Sequence, residues 1–427
     1  MSESPNGVEF IGRESAHSTA AVAAICSAEA AKGEGHQFIQ SVLTVRRYLP
    51  MFCNPVFLFV FNWVIMLATL SVHITRVTYP GFNLPILLFV LSFGAFLLGY
   101  VGSRAALHKY SVQDEPLSYT LDATRLWRLN LSFCCAALLI VLFNWVNFGA
   151  PPALGAPSSY LIYGRFKQVL FPLLITVAVN ATLDPSRWRK VLFVIFGIAG
   201  LALYVTRGLL MVALLQMFYV FALRTQINKR KLYLIAIGCL VLAIAAITLI
   251  GNVRTPESNF LRYLEIRPKF FGWPMVYLWL TAYVSIPLSN LCWIFAKGYF
   301  HGPTLSFLYP LLPSFLMPPN PHVAIHGDLN IIDGASTYLS AYALDFSYVG
   351  VFLANLALGL GSGWVVERSL PRQIFVSAIF LTCLSFIFFT DMFTPLSTIL
   401  QVVVQIFVQK SCFRWESPGL QVQMVNE

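Results

Sequence analysis

Apolar residues fill this chain in blocks of about 20, the length a helix needs to cross the hydrocarbon core of a bilayer. Seven such blocks lie at about 55–74, 83–102, 129–149, 167–183, 190–206, 207–223 and 232–251. Three more follow at about 346–366, 373–390 and 395–409. The pattern predicts an all-α polytopic membrane protein. Ahead of the first block, residues 1–50 are polar, and STAAVAAICSAEAA is their only apolar patch. That patch is Ala-rich, interrupted by polar residues and flanked by Glu9 and Glu14, which separates it from a signal peptide. A mobile tail is expected there.

Between Asn252 and Asp345 the pattern breaks down into a long, Pro-punctuated stretch carrying Arg, Asp, His, Asn and Tyr. Loops longer than about 12–15 residues inside a compact fold are functional or disordered. Trp273, Tyr277, Trp279, Tyr283, Trp293, Tyr299 and Tyr309 are too many aromatics for disorder. Within it, 273–296 is long enough to cross, yet holds Pro274, Ser285, Pro287, Ser289 and Asn290. Interrupted backbone at membrane depth is tolerated only where it is buried in protein or lines a cavity. Either a half-inserted hairpin or two true spans fits. The organisation expected is a tail (1–50), a seven-span region (51–251), a large outer loop or re-entrant region (252–345), a three-span region (346–410) and a second tail (411–427).

Composition supports the class: 58% of residues are hydrophobic and 11% charged, against about 25% charged in soluble proteins. The net charge of +10 does not point to nucleic acid, because Lys and Arg fall in alternate links between blocks. Arg46 and Arg47 precede the first span; Arg104, Lys109, Arg125 and Arg128 fill the second link; Arg187, Arg189 and Lys190 fill the fourth; Arg224, Lys229, Arg230 and Lys231 fill the sixth. Cytoplasmic links carry such an excess. Both termini are therefore expected in the cytoplasm, with Asn252 and Asp345 both outside. The two halves agree only if 252–345 crosses an even number of times, giving ten or twelve spans.

No GxxxxGK[ST], GxSxG, HExxH or Rossmann glycine pattern is present. The eight cysteines include no CxxC and lie mostly in apolar runs, so no metal or cofactor site is expected. Arg207 stands in the tight turn YVTRGLLM, on the outer side, where orientation gives no reason for a cation. It reads either as a snorkelling side chain or as a fixed cation facing a lipid-anchored phosphate. Arg254 and Arg262, in the next outer loop, would add cations there, with Arg267 close behind. His322, His326, Asp328, Asp333 and Asp345 are candidate general bases. Asp345, just before a span, also reads as a helix N-cap.

Three motifs carry a family resemblance. Arg207-Gly208 opens a central span; Tyr283-Val-Ser-Ile-Pro287-Leu-Ser-Asn290 follows; and Asn330, Thr337, Tyr342, Asp345-Phe346-Ser347 and Gly350 lead into a late span. Over roughly residues 200–365 their order resembles the bacterial oligosaccharide repeat-unit polymerases, the Wzy-type O-antigen polymerase family. In that family a glycine follows Asp-Phe, where this chain has Ser347.

The resemblance implies a GT-C-like glycosyltransferase on the periplasmic face of the bacterial inner membrane. Its substrates would be undecaprenyl-diphosphate-linked glycans, with a chain-length regulator as a further partner. Arg207, Arg254, Arg262, Tyr283, Asn290 and Asn330 would bind diphosphate or sugar, and Asp345, His326 or Asp333 would act as base. Because diphosphate is a leaving group of low basicity, arginines can stabilise it without a metal. A lipid-linked glycan ligase at the same site and a secondary transporter or flippase are the alternatives. A transporter would show paired broken helices in both halves, and only one half has Pro-interrupted segments.

Overall fold

The apolar blocks fold as helices. A computed structural model describes residues 40–44, 50–76, 78–108, 118–155, 166–223, 229–254, 260–262, 264–312, 316, 337–369 and 373–415. The α-helices among them are α1 (Pro55–Val72), α2 (Asn83–His108), α3 (Ala123–Phe148), α4 (Lys167–Ala181), α5 (Arg187–Leu203), α6 (Arg207–Ala222), α7 (Lys229–Arg254), α8 (Met275–Lys297), α9 (Ser340–Trp364), α10 (Ile374–Ser385) and α11 (Leu396–Cys412). Local signals set several ends. Asn54 accepts from Val56 N and opens α1 beside Pro55, and Asp122 accepts from Arg125 N and opens α3. Gly149 and Gly298 close α3 and α8 at φ 88 and 66, where a Cβ would clash with the backbone.

Four helices, α2, α3, α8 and α9, are long and apolar enough to cross a membrane. Leu138, Leu139, Leu142 and Val146 of α3 are exposed, and only 22% of its apolar window is buried. An outward apolar surface of this extent is that of a membrane protein. The shorter apolar helices α1, α4, α6, α10 and α11 contribute to the interior, where Phe59, Trp63, Leu174, Phe375 and Leu381 form one core with Phe96 of α2, while Val64 of α1 and Val403 of α11 face outward.

A small sheet marks one end of the bundle. Strands β1 (Gln40–Thr44), β2 (Ser118–Asp122) and β3 (Phe413–Trp415) pair antiparallel in that order. Gln40 faces Asp122 and Leu121 faces Phe413. Hydrophobic pattern did not predict it, because strands of three to five residues carry too short an alternation to register. Within the expected tail, residues 40–44 form strand β1. Residues 1–39 and 45–49 lie outside the described residues, as do 416–427 of the second tail.

From the sheet end the helices run alternately away and back. Phe59 stacks on Phe96 and Trp63 meets Phe89, so α1 and α2 are antiparallel. Asn180 Nδ2 donates to Asn130 Oδ1 at 3.0 Å, bringing the last turn of α4 to the start of α3. Gly197 and Gly200 of α5 meet Ala178 and Leu174 of α4 in reverse order. α2 and α9 run parallel and nearly touch: a Cβ on Gly99 or Gly359 would overlap the facing backbone. The ends of α1, α3, α5, α7 and α10 therefore lie away from the sheet, and Asn252 and Asp345 both stand at that far end.

α8 is the exception. It is one continuous helix through Pro287, and 72% of its apolar window is buried. Leu278, Trp279, Ala282 and Ile286 pack with Ile74, just past the far end of α1. Further along, Tyr79 N donates to Ser289 Oγ at 2.7 Å and the Tyr79 ring meets Trp293. Phe295 then packs on Tyr348 at the head of the long arm of α9. Both ends of α8 are thus fixed at the far end. The helix is long enough to cross, yet it lies across that end among its neighbours. Of the two arrangements the sequence leaves open for 252–345, this placement is nearer to the half-inserted one than to two true spans.

Candidate functional site

The far end contains a broken helix. At Ser347 α9 leaves helical geometry, with φ 55 and ψ −139, a region that only glycine adopts without strain. The arm Ser340–Phe346 consequently folds back along the arm Tyr348–Trp364. Gly350 lies so close to the Tyr342 carbonyl that no Cβ fits between them. The Tyr338 hydroxyl donates to Asn355 Oδ1, 17 residues further on. In a straight helix those two would stand about 25 Å apart. Asn355 is completed by its Nδ2 donating to Val351 O at 2.7 Å. The chain thus dips into the bundle before α9 begins its run to the sheet.

Asp345 holds this arm in place. Its carboxylate is 3% exposed. Thr304 Oγ1 donates to Oδ1 at 2.5 Å, while Ser306 Oγ and Phe307 N donate to Oδ2 at 3.0 and 3.4 Å. Alongside, His301 N donates to Leu344 O at 2.9 Å and Phe307 stacks on Tyr342. Asp345 is not the N-cap expected from sequence, since α9 starts five residues earlier behind Leu339. Both oxygens are committed to the turn after α8, so the geometry makes Asp345 the anchor of that turn.

Tyr283 and Asn290 share the face of α8 that repeats every seven residues. Tyr283 stacks on Trp279 with centroids 5.5 Å apart and meets Phe389, beyond α10, at 5.1 Å. Asn290 is 6% exposed. Arg207 is the first residue of α6 and Arg254 the last of α7, both at the far end; their side chains lie outside the described residues. Arg262 is exposed in the turn that follows Phe260. His326, Asn330 and Asp333 lie in 317–336, also outside the described residues, as do His322 and Asp328.

Below the start of α6, helices α4, α6, α10 and α11 enclose a narrow cavity of about 50 Å³, lined by Phe171, Leu209, Val212, Met392 and Thr398. Gln216 and Gln401 close it with reciprocal amide hydrogen bonds of 3.2 and 2.5 Å. Beside it, Asp391 accepts from Phe393 N and Thr394 Oγ1 at 2.8 and 2.7 Å, shaping the turn into α11. Sequence reading missed Tyr338, Asn355, Thr304, Ser306, Gln216 and Gln401. Lone amides inside apolar runs were the available signal for three of them, because a buried amide is retained only where it is paired. Among the described residues no three His, Cys, Asp or Glu side chains are grouped closely enough to hold a metal ion. No family model, curated protein or solved structure matches this chain.

Proposed function

We propose that the protein is a glycosyltransferase that polymerises undecaprenyl-diphosphate-linked oligosaccharide repeat units on the periplasmic face of the bacterial inner membrane. One observation carries the reading. The family to which the sequence is similar has glycine after Asp-Phe, and Ser347, at that position here, has a backbone only glycine adopts freely. A glycine there would be free of strain, and this supports the reading. In this reading ten helices cross the membrane, in a GT-C-like arrangement, and α8 lies in the periplasmic leaflet. The sheet end, which carries Arg125, Arg128, Arg187, Arg189, Lys190 and Lys410, is cytoplasmic together with both termini.

The transfer joins an acceptor hydroxyl to the anomeric carbon of the donor chain. The bond from that carbon to the diphosphate oxygen breaks, and its electron pair leaves on undecaprenyl diphosphate. Arg207, with Arg254 and Arg262, stabilises that charge. His326 or Asp333, on the segment leading into Thr337, takes the acceptor proton. Asp345 supports the turn after α8, and Tyr283 offers an aromatic face to a sugar ring.

The test is genetic and biochemical. Deletion should leave lipid A capped with a single repeat unit, and purified protein should convert a lipid-linked repeat unit into a ladder. Accumulation of free lipid-linked polymer on deletion would instead identify a ligase.

A further inference from the structure

A cationic platform at the far end stands apart from the broken helix. The link after α1 and the stretch after α7 are joined through their backbones. Thr75 and Ile266 form an antiparallel bridge, Arg76 N donates to Glu265 O, and Arg267 N donates to Ile74 O, both at 3.0 Å. Ile74, Phe260, Leu264, Ile266 and Phe270 pack beneath as one apolar cluster. Above them Arg76, Arg267 and Lys269 line an open concavity of about 540 Å³.

Two of these cations have a fixed contact, and among the described residues none of the three has an acidic partner. Arg267 Nε donates to Thr75 O at 3.3 Å, which tethers the guanidinium through one of its five donors. Lys269 Nζ lies 4.8 Å from the centre of the Phe270 ring. Among the described residues no carboxylate pairs with any of the three; the ion pairs there, Arg104–Glu367 and Arg125–Asp122, belong to the sheet end. Nearby, His73 Nδ1 is buried without a hydrogen-bond partner among the described residues. Burial, and then Arg267 and Lys269, hold that imidazole below its ordinary pKa.

A bland explanation accounts for part of this. Cations near the last turn of α1 complement its dipole, and Lys269 gains from the aromatic face. Neither explains why two arginines are brought together on a bridged ribbon, where a bound anion would offset their repulsion. The platform sits just past the end of α1, and in a bilayer crossed by α1 that level would meet the lipid headgroups. Arginine forks match phosphoryl oxygens bidentately.

We propose that Arg76, Arg267 and Lys269 form a binding site for a phosphoryl or diphosphoryl group at the membrane surface. The site goes beyond the polymerase reading and is measured without any glycan. Purified full-length protein in phosphatidylcholine nanodiscs is titrated with inorganic pyrophosphate and followed by phosphorus NMR. The Arg76→Gln/Arg267→Gln double variant should bind at least about tenfold more weakly, the loss expected when charge-assisted hydrogen bonds disappear. Arg128→Gln, at the sheet end, should bind as wild type, and the double Lys variant should recover part of the affinity. Nanodiscs that also contain phosphatidic acid separate the sources. Competition with pyrophosphate supports the site and assigns it to a lipid headgroup; undiminished pyrophosphate binding supports it and assigns it to a soluble phosphate. Equal affinity in wild type and the double Gln variant, or no binding to wild type, overturns the proposal. Unchanged tryptophan emission in each variant shows that the fold is retained.

Discussion

At the sheet end, three segments far apart in sequence pair backbone to backbone, and arginines meet acids: Arg104 with Glu367, Arg125 with Asp122. At the far end the backbone is distorted. All six non-glycine residues with positive φ among the described residues lie there: His73, Phe166, Val205, Glu265, Leu305 and Ser347. Left-handed backbone costs an L-residue roughly 1–2 kcal/mol. Such strain persists only where surrounding structure over-determines it, and it clusters at functional sites. One end is built for stability. The other keeps strained turns, a helix lying across the bundle, and Arg76, Arg267 and Lys269 with no carboxylate partner among the described residues. Chemistry, if it follows strain, belongs at the far end.

The sharpest way to break the comparison is topological. Alkaline phosphatase is active only when exported, so fusions after Asn252, near Lys297 and after Ser340 should all be active. A fusion after Lys410 should be silent. The difference is all-or-none. A silent fusion near Lys297 would mean that α8 crosses, and the two ends would then no longer differ in the way described.

Next in size is the far-end anchor. Asp345→Ala leaves Thr304, Ser306 and Phe307 N without their acceptor in a site 3% exposed. A loss of about 3 kcal/mol is expected, since buried donors left unmade cost about 1–3 kcal/mol each and relax in part. Asp345→Asn keeps one acceptor oxygen and should lose about 1–2 kcal/mol. Thermal unfolding in detergent measures both. If Asp345→Asn also abolishes glycan polymerisation while unfolding at the wild-type temperature, the carboxylate acts in chemistry and the anchor role fails.

At the sheet end the matching lesion is Leu121→Ala. Leu121 is fully buried and pairs with Phe413. Truncating a buried leucine costs about 2–5 kcal/mol; at the rim of the bundle the low end, about 2 kcal/mol, is expected. Polymerisation per folded molecule should stay unchanged. A selective loss of activity without loss of stability would show that the two ends are coupled.

How much of this was legible follows from the physics of each element. Ten apolar runs were readable because hydropathy reports length and apolarity directly. Boundaries shifted where a local signal overrode hydropathy: Asp122 starts α3 earlier than 129, and the turn at Asp391 follows an α10 that has already ended at Ser385. α8 was ambiguous because burial in protein and burial in lipid select the same apolar residues. Tyr283 and Asn290 stood out as site residues only through the motif that carries the family resemblance, and their common face on α8 came from the fold. Asp345 was noticed, but its donors lie 38 to 41 residues away in the chain. The cationic platform was hidden for the same reason, as Arg267 sits 192 residues from Thr75. Periodicity sees neighbours along a helix, and these contacts are made by tertiary folding.

The smallest effect expected is also the most specific to the far end. Ser347→Gly removes the Cβ from a backbone at φ 55, ψ −139 without removing a side-chain hydrogen bond to any described residue. Strain in this region is worth about 1–3 kcal/mol, and glycine returns part of it through the greater freedom of the unfolded chain. A net gain of about 1 kcal/mol is expected, read as a rise in unfolding temperature. The variant also restores the residue found at this position in the family that the sequence resembles, so polymerisation should persist. A lower unfolding temperature would mean that the serine side chain stabilises the break, and that the arm Ser340–Phe346 does not store strain at this residue. Higher stability with slower polymerisation would be more informative still. It would place the strain itself among the features the far end uses, since strained backbone at functional sites trades stability for activity.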